Sequence, residues 1–227
     1  MKFLKDTTIN KKCLFYLLMF IMRNKKLEKS LLNALPKERF KARFEERLNN
    51  VSYNNYWQII SEMRAIYIFN NILKTPVEDI EVLTVGRKNV DFVANYNTVK
   101  IYVEVKGFKS VDEIIAKKGG SIGSDDEKID RALNRSIDKF LKDSCNIVVI
   151  ADENTTRLPL FMNELTDLKR IPETYLNSSY YEKVSAIMIL GGMYKEQLYN
   201  YKIHYNNNPT LELPDGLKEI LNSQASN

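Results

Sequence analysis

The sequence predicts an α/β protein, a mixed β-sheet flanked by helices, on three observations. The hydrophobic period changes from 3.6 to 2 after Pro76, and three strand-like segments then follow in succession. After a further helical stretch comes Asn146-Ile-Val-Val-Ile-Ala151, an apolar run of the length expected for a strand buried on both faces. The order helix, three strands, helix, strand describes a sandwich around a mixed sheet. With 227 residues, 44% of them hydrophobic, the chain can fill one substantial core, and no repeat or long linker divides it.

The elements justify themselves in order. Cys13 to Met22 (CLFYLLMFIM) is apolar and flanked by Lys11, Lys12 and Arg23. It falls short of the about 20 residues a helix needs to span a bilayer. No small-residue cleavage site follows it, so a buried helix is expected, with no membrane partner and a cytoplasmic location. From Leu27 to Leu48 apolar and charged residues alternate at helical spacing, with Pro36 ending one helix and opening the next. Residues 1–50 form a basic helical extension: 13 Lys/Arg against 5 Asp/Glu give +8, while the remainder, 21 against 24, gives −3. Such an excess suits a phosphate backbone, although a solvated helix face produces the same pattern. Residues 51–227 form the second unit, with its core at about 56–152 and an extension over 153–227.

In that unit a helix is expected from Asn54 to Leu73, ending before Thr75-Pro76, with Trp57, Ile60, Met63 and Ile66 three residues apart on one face. Strands are expected over Ile80 to Val85, Val90 to Tyr96 and Val99 to Lys106. A polar, glycine-containing loop leads to a helix over Asp126 to Lys142. After the buried strand, Val184 to Leu190 reads as another strand and Tyr199 to Tyr205 as an edge strand.

Composition narrows the chemistry. Cys13 and Cys145 are far apart and lack zinc spacing, and His204 is the single histidine. Catalysis here would run on carboxylates, lysines and hydroxyls. With the second hairpin's turn at Asn97-Thr98, Tyr96 faces Val99 and the count places Asp91 opposite Glu104. Phe92, Ala94, Tyr96, Val99, Ile101, Val103 and Val105 share the core face. Asp91, Val93, Asn95, Lys100, Tyr102, Glu104 and Lys106 share the other. Like charges directly opposed destabilise a hairpin unless something compensates, and a hard divalent cation does so. Lys106 projects from the same face and is placed to orient an attacking water and stabilise phosphoryl charge. A half-exposed hairpin with Lys106 neutralising Glu104 would show the same residues.

Asp91 and Glu104-Val105-Lys106 resemble the signature of the PD-(D/E)XK nuclease superfamily, an acid opening one hairpin strand and a (D/E)xK triplet in the next. Val90 stands where the family usually has proline. The resemblance covers about Tyr56 to Asp152, and the element order matches the family's αβββαβ core. It implies a restriction-endonuclease-like fold and a metal-dependent nuclease that hydrolyses phosphodiester bonds in nucleic acid, DNA first among them. It also implies Mg²⁺ or Mn²⁺ held by Asp91, Glu104 and the Val105 carbonyl, with Lys106 positioning the water. Glu62, in SEMRAIYIFNNIL, is similar to the glutamate of the family's first core helix that completes the metal site; read without the family it is an exposed helix carboxylate. Lys128, Arg131, Asn134 and Arg135 are candidates for the side chain that relatives present from the next helix, with no one of them singled out. The 119–123 segment (GGSIG) lacks the phosphate-loop pattern. A homodimer would supply two sites for cutting both strands. The competing expectation is a catalytically inactive nucleic-acid-binding or protein-interaction module on the same fold.

Overall fold

The computed structural model describes residues 25–50, 53–107, 125–151, 173–190 and 199–225. The apolar stretch 13–22 and the 119–123 loop lie outside them. Two short helices lead in, α1 (Lys25–Asn33) and α2 (Glu38–Asn49), separated around Pro36 as the sequence requires. Helix α3 (Tyr53–Tyr67) continues through a π-helical turn, Ile68–Ile72. Strands β1 (Val77–Leu83), β2 (Asn89–Tyr96) and β3 (Val99–Gly107) follow, then α4 (Asp125–Ile137), β4 (Cys145–Ala151), the single-turn α5 (Glu173–Leu176), β5 (Ala186–Leu190), β6 (Tyr201–Tyr205) and α6 (Asp215–Gln224). Among the described residues no helix is long and apolar enough to cross a membrane.

The six strands form one mixed sheet in chain order, β1 to β6. β1, β2 and β3 are antiparallel neighbours, β3, β4 and β5 are parallel, and β6 returns antiparallel. Two apolar layers cover it. On one face Ile147, Val149 and Ala151 of β4 and Ala186, Met188 and Leu190 of β5 pack under α1, α2, α3 and α6. On the other, Val148, Ile150, Ile187 and Ile189 pack with Ile129, Leu133 and Ile137 of α4. Alternating side chains thus reach an apolar layer on either side, which is why β4 reads as an unbroken hydrophobic run.

Three expectations need correction. β1 begins at Val77, not Ile80, because Val77 already pairs with Ala94 while an irregularity between Val77 and Asp79 breaks the alternation. α4 stops at Ile137, where the Lys139 and Phe140 N–H groups turn back to the Ser136 and Ile137 carbonyls. The second face of the hairpin is less open than its polar pattern suggests: Val93 lies within the α4 core and Glu104 is fully buried.

Because β3, β4 and β5 are parallel, their carboxyl ends lie along one edge, together with the end of β1 and the start of β2. In open α/β sheets this is the edge at which ligands bind.

Candidate active site

The hairpin register is the one counted from the Asn97-Thr98 turn: Tyr96 pairs with Val99, Asn95 with Lys100, Ala94 with Ile101, Val93 with Tyr102 and Phe92 with Val103. Asn97 takes the left-handed conformation the turn needs, at φ 54°. The ladder stops one step before the expected pair. Asp91 and Glu104 are not paired across it; instead the Asp91 carboxylate turns inward and its Oδ2 accepts the Val105 N–H at 2.6 Å. A side chain has replaced a main-chain carbonyl at the point where the strands diverge. Like charges directly opposed are unfavourable, and here Asp91 takes the Val105 N–H in place of a regular pair with Glu104.

Glu104 is buried to 0% exposure. Its Oε1 accepts from the Lys106 ammonium and, at 2.5 Å, from the Lys139 ammonium. Its Oε2 is buried with no hydrogen-bond partner. Glu62 is also buried, at 3%, so its reading as an exposed helix carboxylate is set aside. Arg47 of α2 grips it with both terminal nitrogens, at 2.5 and 3.0 Å. Gln58, one helical turn before Glu62, donates to Glu62 Oε1 at 3.0 Å and to the Val105 carbonyl at 2.9 Å, while its own Oε1 accepts the Gly107 N–H at 2.8 Å. Helix α3 is thereby locked to the end of β3. Gly107 permits the approach, since a Cβ there would lie 3.1 Å from Ser61 Oγ and 3.2 Å from Gln58 Oε1.

Asp91 reports the electrostatics of the group. Burial first, then the neighbouring Glu62 and Glu104 carboxylates, push it well above the usual carboxylate range; the Val105 N–H and Lys106 oppose the shift only in part. Asp91, Glu62, Glu104 and Lys106 therefore occupy one electrostatic neighbourhood.

Five participants were not singled out from the sequence. Gln58 and Glu62 stand four residues apart on one helix face, a spacing that could have found the glutamine. Arg43 and Arg47 repeat that spacing on α2; Arg43 Nε bonds Glu81 at 2.9 Å. Glu81 holds φ 52°, an uncommon conformation for a non-glycine residue, and its Oε1 stands 3.7 Å from Arg47. Lys139 lay just beyond the residues considered on α4. Of those, Asn134 bonds Asp130 at 2.9 Å, Arg131 and Arg135 are exposed, and the Lys128 side chain lies outside the described ones.

No three carboxylate, thiolate or imidazole groups among the described residues form a ready-made cage. Mg²⁺ does not demand one, because it is usually held by one or two carboxylates plus water and substrate phosphate. The unpartnered Glu104 Oε2 and the raised Asp91 are the donor set such an ion would meet, and they fit it. No protein-family model matches the chain, and no curated protein or solved structure shows a significant match to it.

Proposed function

We propose that the chain is a metal-dependent nuclease of the PD-(D/E)XK type, with a restriction-endonuclease-like core over α3 to β4, hydrolysing phosphodiester bonds in nucleic acid, with DNA the favoured substrate. The observation that carries the reading is Glu104: a fully buried carboxylate in the carboxyl half of β3, with one oxygen on two lysines and the other without a partner, beside a carboxylate that resists ionising. An isolated buried acceptor of this kind costs about 1–3 kcal/mol, more when charged, and a divalent cation would remove that cost. The order α3, β1, β2, β3, α4, β4 supports the family reading.

In this reading Asp91, Glu104 and the Val105 carbonyl hold Mg²⁺ or Mn²⁺, which supplies Lewis-acid stabilisation of phosphoryl charge and lowers the pKa of water. Lys106 orients the attacking water and offsets negative charge at phosphorus. Lys139 holds Glu104 in its rotamer and supplies a second cation. Gln58 fixes the Val105 carbonyl, and Arg47 holds the Glu62 carboxylate in place. The basic α1 and α2 carry cations for backbone phosphates beyond the reacting one.

One observation favours the competing reading, a binding module without catalysis. Arg47, Lys106 and Lys139 already neutralise much of the carboxylate charge, so charge balance at these carboxylates does not call for a metal. Incubating the chain with supercoiled, linear, single-stranded and branched DNA and structured RNA, in Mg²⁺, Mn²⁺ or EDTA, separates the two. Cutting in either metal, abolished by EDTA and lowered about a hundredfold or more in Glu104→Ala and Lys106→Ala, is expected. Tight binding without cutting in any condition would establish the module instead.

A further inference from the structure

The turn between β1 and β2 carries side chains that a solvent-facing turn does not need. Turns favour Gly, Asn, Asp and Ser, yet Val85 stands in this turn at 39% exposure, and Leu83, the last residue of β1, leads into it at 65%. They are two of the four exposed large hydrophobics among the described residues, and they stand two positions apart. Single exposed aliphatics are ordinary; a pair on one protruding turn, followed by exposed Arg87 and Lys88, is a patterned surface.

The turn is also held in shape. The Thr84 N–H donates to the Lys88 carbonyl at 2.8 Å, and the Lys88 N–H returns to Val85 at 2.9 Å. Gly86 and Arg87 are consecutive left-handed residues, at φ 58° and 66°. The Thr84 hydroxyl donates to the carbonyl of Lys139, and Lys88 pairs with Asp138 at 3.0 Å. Lys139 is the residue whose ammonium sits on Glu104, so one residue anchors the turn with its main chain and the carboxylate with its side chain. From Asn89 the chain needs two residues, about 7 Å of strand, to reach Asp91. The aliphatic pair and the carboxylates ride on one rigid piece.

We infer that this turn is a wedge for nucleic acid. Leu83 and Val85 enter between base steps, Arg87 takes a flanking phosphate, and the strand is opened beside Glu104. Aliphatic side chains inserted between steps unstack them, and cations at the rim fix the backbone around the opening. The substrate class is accordingly DNA with a pre-opened step, a fork, bubble or junction, rather than continuous duplex. The inference rests on the nuclease reading for the direction of its chemistry, but its binding step can be tested without cutting.

The test uses the full chain in EDTA with forked DNA carrying 2-aminopurine at the junction and, separately, the same sequence fully paired. The wild-type chain is expected to raise 2-aminopurine fluorescence on the fork and to bind the fork more tightly than the duplex. The double variant Leu83→Ser/Val85→Ser, exposed positions whose folding is checked by circular dichroism, is expected to lose the fluorescence rise. It should also lose about tenfold in fork affinity, the scale of one aliphatic side chain returned to water. Arg87→Ala should weaken both substrates alike and lower the salt slope by about one. Unchanged fluorescence on wild-type binding, or an unaltered fork preference in the double variant, would overturn the wedge. So would self-association that the serines abolish without altering DNA binding, which would make the turn a protein contact. A fluorescence rise from a chain that cuts nothing in Mg²⁺ or Mn²⁺ would sink the nuclease reading and leave the wedge; cutting without the rise would do the reverse.

Discussion

The two ends of the central strands bury polar groups in opposite ways. At the amino end of β4, Asn146 directs its amide nitrogen to the carbonyls of Leu141, Ser144 and Lys183 at 2.8–2.9 Å, and its own N–H is taken by Ser185 Oγ at 3.1 Å. Asn206 likewise ties the carbonyls of Tyr181 and Val184. The groups bonded there are neutral amides, carbonyls and a hydroxyl, and the cluster's work is to pin the segments that enter β4 and β5. Its one unmet atom, Asn146 Oδ1, is an amide oxygen. At the carboxyl end the buried groups are charged, and the unmet atom is a carboxylate oxygen, Glu104 Oε2. An unmet carboxylate costs more than an unmet amide, so the fold tolerates at one edge what it has no architectural need for.

The sharpest way to break this contrast is to open the part of the carboxyl end that is closed. Arg47→Ala strands Glu62, at 4% side-chain exposure, with the Gln58 amide still donating to it. The loss should be about 3 kcal/mol, at the lower end for a broken buried pair because Arg47 keeps some access to water. Urea unfolding measures it, and adding Glu62→Gln should recover most of the loss. Failure of the second change to restore stability would show that Arg47 acts through its packing on the Phe44 ring, 5.2 Å away, rather than through charge.

The amino end is next in size. Asn146→Ala frees three carbonyls at once and should cost about 2–3 kcal/mol, since bonds shared by one amide are not independent. Its metal response and any cleavage should be unchanged once folding is complete. A change in either would join the two ends that the contrast separates.

How much of this was readable beforehand follows from which interactions are local. Strand alternation, the hairpin turn and the doubly buried β4 are written in neighbouring residues, so Asp91, Glu104 and Lys106 could be placed on one hairpin from periodicity alone. The contacts that make the group unusual are long-range. Arg47 reaches Glu62 across 15 residues, Gln58 reaches Val105 across 47, and Lys139 reaches Glu104 across 35. No spacing rule connects such pairs before the sheet exists. Even the local count overreached by one step, because register arithmetic assumes that a strand stays paired to its end, whereas the ladder stops at Phe92 and the Asp91 side chain takes the Val105 N–H. The β1 boundary was hidden for a related reason: the acidic Glu78 and Asp79 and a break in alternation masked a strand that is defined by its partner.

The smallest effect sharpens the contrast most finely. Asp91→Asn keeps an oxygen for the Val105 N–H and removes the charge that Glu62 and Glu104 oppose. The folded state raises the pKa of Asp91, so folding favours its protonated form. The stability this contributes is fully present below the unfolded value of about 4 and is lost as pH rises through the folded value. In EDTA the asparagine variant should therefore match the wild type near pH 4 and become more stable than it as pH rises, with the gap levelling once wild-type Asp91 has ionised. Thermal melts across that range measure the gap. Adding Mg²⁺ at neutral pH should reverse the order, because only the wild type retains the carboxylate that gains from a cation. If the gap stayed flat with pH, the repulsion would already be relieved within the fold, and the carboxyl edge would be as closed as the amino one.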